Sequence, residues 1–236
     1  MLHNRPRWGT AICLLAASLA YGADNDLTPA EQAAGWRLLF DGKTTQGWHT
    51  FHRTSFPEKG WEVEDGWLHC LGRGGGDIVS DGEYRDFELE WEWKLETGGN
   101  SGLKYFVLDS RKGALGHEYQ LLDDDRNEDA RLAQGKRVTA AFYDVLKPDV
   151  KTPTRPMGEV NESRILVHGG HVEHWLNGVK VLEYECGSDR IREAVAKSKF
   201  KNTAGFGDCV KGRILLQDHG SNVWFRNIKI RALADR

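Results

Sequence analysis

An all-β sandwich is the fold class that this sequence predicts, and three observations predict it. Apolar and polar residues alternate with a period of two in one segment after another, 27 glycines punctuate the segments, and aromatic residues, nine tryptophans among them, populate the runs. At 236 residues the chain can hold one good-sized domain, a length that sandwiches reach without dividing. Its 32 basic and 35 acidic residues nearly cancel, so it lacks the electrostatic footprint of a nucleic-acid or anionic-membrane binder.

Residues 1–23 have the pattern of a secretory signal: Arg5 and Arg7, an apolar run over residues 11–20, then small residues at Gly22 and Ala23. The run is too short to span a bilayer and no second one follows, so an exported protein without membrane insertion is expected, periplasmic or extracellular. Cys13 lies inside this leader. Cys70, Cys186 and Cys209 remain, an odd number that permits one intrachain disulfide at most. A domain of this size needs no staple, so buried free thiols are the expectation.

Residues 24–35 form a lead-in segment. Thr28-Pro29-Ala30-Glu31 reads as a capping box with proline at the first helical position, which predicts a short helix stopping near Gly35. Strands then follow over residues 36–233. Trp36, Leu38 and Phe40 alternate up to the Asp41-Gly42 break, and Asp65-Gly66 turns a hairpin between Trp61 and Leu68. The triple glycine at residues 74–76 has no phosphate-binding context. Residues 84–95 set Phe87, Leu89, Trp91, Trp93 and Leu95 on one face and Glu88, Glu90, Glu92 and Lys94 on the other; the glutamates are expected to be solvated. The run from Asp123 to Asp129 opens like a calcium loop, but Glu128 stands where glycine is required, so it predicts a loop rim rather than a calcium site. Residues 138–146 read as a strand carrying Tyr143. Gly169-Gly170 makes a two-residue turn that pairs Val167 with Val172 and Ile165 with His174. Ser188 caps a second short helix from Asp189 towards Lys199, and two last strands cover residues 213–219 and 223–231.

The polar residues that an apolar sheet would not require are concentrated in residues 98–125. Lys104 falls on the face opposite Leu103 and Tyr105, and Glu118 shares a face with Gln120. Gln217 and His219 share a face near the end of the chain, and Arg226 follows on the next strand. Such a set is either a sugar site or a solvated face. The chain carries no nucleophile elbow, zinc helix, dinucleotide fingerprint or repeat.

The blocks FDGKTTQGW at residues 40–48, WEVEDGWL at 61–68, DFELEWEWK at 86–94, NSGLKYF at 100–106, HEYQLLDD at 117–124, HVEHWLNGVKVLEYE at 171–185 and ILLQDHGSNVWFRNIKIR at 214–231 resemble, in order, the 3-keto-disaccharide hydrolase family. The resemblance implies a concanavalin A-like jelly roll of two antiparallel sheets with one or two short helices. It also implies an exported protein that cleaves glycosides already oxidised at C3, by hydrolysis or by elimination and hydration. A C3 ketone acidifies the C2 proton, so a base can remove it while the C1 substituent departs. The enolate then needs a cationic, hydrogen-bond-donating or divalent-metal partner; no other cofactor is called for. On face and charge, Glu118 or His174 is the expected base and Lys104 or His219 the oxyanion partner. Gln120, Asp123, Tyr143 and Gln217 are expected on the sugar hydroxyls, with Arg226 in the same wall. Two alternatives remain at this level. One is a lectin-like module. The other is a retaining glucanase, whose E-x-D-x-x-E spacing is matched at Glu118, Gln120 and Asp123 although Glu118 and Asp123 face oppositely on a regular strand.

Overall fold

The computed structural model of the chain describes residues 23–234, so the leader assigned to residues 1–23 lies outside the described residues except for Ala23. In chain order the elements are α1 (Pro29–Ala33), β1 (Arg37–Leu38), β2 (Trp48–Thr50), β3 (Trp61–Glu64), β4 (Trp67–Leu71), β5 (Ile78–Tyr84), β6 (Phe87–Leu95), β7 (Asn100–Val107) and β8 (His117–Leu122). After two short 3-10 turns come β9 (Asn161–His168), β10 (His171–Leu176), β11 (Val179–Glu185), α2 (Asp189–Ala196), β12 (Gly212–Leu216) and β13 (Asn222–Ala232). They form a jelly-roll sandwich of two antiparallel sheets. The larger has the order β11-β10-β9-β6-β13-β4-β3, with β1 paired to the far half of β13, and the smaller has the order β2-β5-β12-β7-β8.

Turn chemistry sets the register. Asp65 and Gly66 both take positive φ, 46° and 77°, the paired left-handed conformation that a two-residue hairpin turn requires. The turn at Gly169-Gly170 pairs Val167 with Val172 and Ile165 with His174. Thr28 and Glu31 complete the capping box of α1, and Glu31 also reaches Lys229 at 2.5 Å, which fastens the lead-in segment onto β13.

The core lies between the sheets. Phe87, Leu89, Trp91, Trp93 and Leu95 of β6 face Leu103, Tyr105, Tyr119, Leu121, Ile214 and Leu216 of the smaller sheet, all buried. Each such side chain contributes roughly 1.5–3 kcal/mol on burial, so one misplaced register step would be prohibitive. One polar chain crosses this core. His117 Nδ1 is 2.8 Å from the Tyr184 hydroxyl, which is 2.7 Å from the Tyr105 hydroxyl, and that in turn is 2.8 Å from His174 Nε2. His174 Nδ1 donates to the Ala140 carbonyl at 2.9 Å. Burial holds both imidazoles neutral, with pKa values lowered to about 3 for His117 and about 4 for His174.

Three local expectations are corrected. Residues 138–146 form a looped turn with Ala140 and Asp144 at positive φ, tied to the edge of β8 by scattered hydrogen bonds and an isolated bridge from Phe142 to Tyr119 rather than by a strand ladder. Glu88 is not solvated: it is buried and ion-paired with Arg164 at 2.8 Å and Arg231 at 2.5 Å, because basic residues of β9 and β13 lie across from it. Finally, Cys186 and Cys209 form a disulfide with a Cα separation of 5.4 Å, and Cys70 is a buried free thiol.

Candidate active site

On β7 and β8 the period of two places Asn100, Gly102 and Lys104 on the face away from the core, across from Leu122, Gln120 and Glu118. The neighbouring strand continues both rows. Leu215 pairs with Lys104, and the backbone N–H of Gln217, just past β12, donates to the Gly102 carbonyl at 3.0 Å. Gly102 has a steric reason to be glycine: a Cβ there would lie 2.6 Å from Glu118 Oε1. The missing carbon is what lets the carboxylate lie over its neighbour strand.

Two loops close over this platform. The turn at residues 138–146 follows the free edge of β8, with the Ala140 N–H donating to the Gln120 carbonyl at 2.8 Å and the Tyr143 N–H to the Glu118 carbonyl at 3.0 Å. This brings Tyr143 over the rows, its hydroxyl donating to Asp129 at 2.9 Å. The segment after α2 is tied to that turn by the Lys199 N–H, which donates to Asp144 Oδ2 at 2.7 Å, and it is closed behind by the disulfide. Lys199 Nζ thereby stands 4.0 Å from the centre of the Tyr143 ring.

The resulting recess, about 30 Å³, is lined by Asn100, Glu118, Gln120, Tyr143, Lys199, Gln217 and His219. It has room for one polar group of a ligand, so a sugar ring would lie across its mouth. Burial raises the Glu118 pKa above the ordinary carboxylate value, partly opposed by the charges of Lys104 and Lys199. Asp77, 3.7 Å from Lys104 Nζ, is also raised by burial. Lys199 is exposed by surface area, yet enough protein surrounds its ammonium to pull its pKa below the usual lysine value. Gln120 donates to Asn100 Oδ1 at 3.1 Å, but Gln120 Oε1 and Gln217 Oε1 are buried without a hydrogen-bond partner. Unmet buried acceptors are costly, and two at one recess mark a place built for a donor from outside.

A much larger cleft, about 790 Å³, lies on the outer face of the larger sheet beneath the lead-in segment, with Glu90, Glu92, Glu162, Arg164, Trp175 and Lys229 among its walls. Its charges satisfy one another: Glu90 with Lys229 at 3.0 Å, Glu92 with Arg226 at 2.7 Å, and Arg164 with Glu88 and over the Trp175 ring. Volume favours this cleft and chemistry favours the recess. Chemistry makes the recess the candidate site, because burial perturbs the protonation of Glu118 without pairing it off.

The 3-keto-alpha-glucoside-1,2-lyase-like domain matches residues 35–231. The chain belongs to this family. A 3-keto-disaccharide hydrolase of Bacteroides thetaiotaomicron is 36% identical over 233 residues, covering 85% of this chain and 79% of the relative. A crystal structure from Parabacteroides distasonis, named as a candidate glycosyl hydrolase, superposes with a TM-score of 0.79 at 36% identity over 90% of this chain and all of that one. A second from the same organism gives 0.65 at 28% identity over 84% of this chain and 99% of that one.

Within this 3-keto-alpha-glucoside-1,2-lyase-like chain, Glu118, Gln120, Tyr143, Gln217 and His219 come together at the recess. Lys104 supports Glu118 from the next strand, but its ammonium points to Asp77 and the Ala114 carbonyl. Three expected residues stand elsewhere. His174 is fully buried in the polar chain of the core, because the smaller sheet covers its face. Asp123 turns to the Gly98 N–H at 2.7 Å and to Arg126, capping its own loop. Arg226 lies on the outer face of the larger sheet with Glu92. The register of β8 carries no bulge, so Glu118 and Asp123 do not converge as a retaining pair. Asn100 and Lys199 were missed. Asn100 shares the period of Gly102 and Lys104 and was readable, whereas nothing local marks Lys199. Among the described residues, the clusters of three possible metal ligands lie on the larger sheet and not at the recess.

Proposed function

We propose that the recess cleaves glycosides carrying a ketone at C3, with Glu118 as the base. The observation that carries this reading is a buried carboxyl with a raised pKa, set between two lysines and beside two unpartnered glutamine oxygens. The family match and the named hydrolase relative support the substrate class. Glu118 as carboxylate takes the C2 proton, and the C–H electrons pass to the C3 oxygen as an enolate. The Lys199 ammonium, with Lys104 behind Glu118, offsets that charge. The enolate collapses back to the ketone, forms the C1–C2 double bond and breaks the bond from C1 to the aglycone oxygen. That oxygen takes a proton from His219 or from the newly protonated Glu118. Addition of water to the enone completes a net hydrolysis. Gln120 Oε1 and Gln217 Oε1 accept sugar hydroxyls, which supplies the donors they lack.

Export to the periplasm or the medium belongs to the same reading. It is supported by the leader pattern and by a disulfide, which persists in oxidising compartments.

The test is incubation of the chain from residue 24 onward with a 3-keto-glucoside and with its unoxidised parent in D₂O, followed by NMR. Aglycone release from the keto compound alone, with deuterium entering at C2, is the expected result. Release from both compounds, or release without exchange, would sink the base role of Glu118. Saturable binding without turnover would make the protein a lectin.

A further inference from the structure

On the outer face of the larger sheet, β3 and β4 bring Glu62, Glu64 and His69 together. Glu62 and His69 are direct cross-strand partners, and Glu64 lies two residues along on the same face. The three side chains offer ligand atoms within 4.8 Å of one another. The carboxylates are about half exposed and free to adjust, while His69 is only 6% exposed.

A chain of hydrogen bonds decides which ring nitrogen of His69 carries hydrogen. Glu96 accepts from the Asn222 N–H at 2.8 Å and from Asn222 Nδ2 at 3.0 Å. A carboxylate can only accept, so the amide nitrogen of Asn222 is committed to Glu96 and its oxygen must face the other way. That oxygen lies 3.0 Å from His69 Nε2, which therefore donates. In the neutral ring Nδ1 is left as a bare lone pair. It is buried without a hydrogen bond of acceptable geometry, and it is aimed at Glu64 Oε1 at 2.8 Å and Glu62 Oε1 at 3.5 Å. A lone pair facing two carboxylates is repulsive unless a proton or a metal cation sits between them. The Trp224 indole N–H donates to Glu64 Oε1 at 2.9 Å and holds that carboxylate in place beside His69. Lys94 stands over the rings of Trp67 and Trp224 at 4.7 and 4.9 Å rather than on the carboxylates.

We infer that Glu62, Glu64 and His69 Nδ1 form a binding site for a divalent first-row transition cation of the zinc or manganese kind. One imidazole with two carboxylates is a donor set for such ions rather than for calcium, which prefers oxygen alone. The Glu96–Asn222–His69 chain is the outer support that fixes the tautomer of a ligating histidine. Three protein ligands leave the remaining positions to water. The site is separate from the recess, and its occupancy does not depend on the reaction proposed there.

The experiment is calorimetric titration of the chain from residue 24 onward with Zn²⁺ and with Mn²⁺, together with ¹⁵N NMR of the imidazoles. Expected are one saturable site per chain and a change at His69 Nδ1 but not Nε2. Binding should be abolished in Glu62→Gln/Glu64→Gln, whose exposed side chains are replaced without loss of packing. Asn222→Ala should weaken it by about 10–100-fold. His171→Ala, which disrupts the other ligand cluster on this sheet, at His171, Glu173 and Glu183, should leave it intact. The inference is overturned by absence of saturable binding at millimolar metal or by binding that survives the double change. Loss on His171→Ala, or an Nδ1 that proves protonated at neutral pH and unmoved by metal, would overturn it too.

Discussion

The recess on the smaller sheet and the cleft on the larger one both present acids and bases on a β platform, and they differ in how those charges are used. In the cleft nearly every carboxylate has a cation within hydrogen-bond reach, so the face is an ion-paired lattice that fastens the lead-in segment and neighbouring strands together. In the recess Glu118 is buried, its neighbours Lys104 and Lys199 act at a distance, and two amide oxygens have no partner. The larger opening holds the quieter chemistry. Paired surface charges are worth little individually, whereas an unpaired buried group keeps its free energy available for a ligand.

Substitutions can break this contrast, and the largest effect is expected at Glu118. Glu118→Gln should lower turnover of a 3-keto-glucoside by about 10²–10⁴-fold, the usual worth of a positioned base. The same change should raise thermal stability at pH 7. The folded pKa of Glu118 lies above its unfolded value, so the folded state holds the proton more tightly and stability is lost as pH rises from about 4.5 through the folded pKa. A glutamine escapes that loss. Thermal melts that fall together with turnover would contradict the functional reading of its burial.

Next comes Lys199→Met, with an expected loss of about 10²–10³-fold in kcat if its ammonium meets the oxyanion. The pH profile sharpens this. Because Glu118 is raised and Lys199 lowered, kcat/KM should be a bell narrower than an ordinary carboxylate and lysine would give. Lys199→Arg should move the alkaline limb upward and leave the acid limb in place. An unmoved alkaline limb would assign it to another group.

Reduction of Cys186–Cys209 should cost about 3 kcal/mol of stability by the loop-entropy argument for a 23-residue separation. It should also lower activity before the sheets unfold, because the bridged segment carries Lys199. Parallel loss of activity and near-UV circular dichroism across a reductant series would contradict this, because the activity would then be lost with the fold.

The smallest effect belongs to the cleft. Glu92→Gln, which removes one partner of Arg226, should change turnover by less than about twofold and stability by about 0–1 kcal/mol. A large loss of turnover there would relocate the chemistry to the larger opening.

Much of this division was legible from the sequence, and the failures share a cause. Periodicity placed Lys104, Glu118 and Gln120 on a single face because strand geometry is local, and the Gly169-Gly170 turn set the pairing of β9 with β10 for the same reason. It also assigned His174 to an apolar face correctly. What covers that face is the other sheet, which no local pattern reports, so a core histidine read as a candidate base. Glu88 misled in the opposite direction, since its cations come from β9 and β13. Lys199 reaches the recess through Asp144 in a left-handed turn and through a disulfide that joins distant residues, both of them relations between segments.

The gap at Gly102 also constrains how this recess can change over generations. With a Cβ only 2.6 Å from Glu118 Oε1, alanine at 102 is tolerable only after the glutamate has shortened or moved, so the two positions are epistatic and the order of substitution matters. A lineage can lose the carboxylate first and fill the space afterwards. A lineage that fills the space first meets a barrier, and a return must reopen the gap before a glutamate can be accommodated.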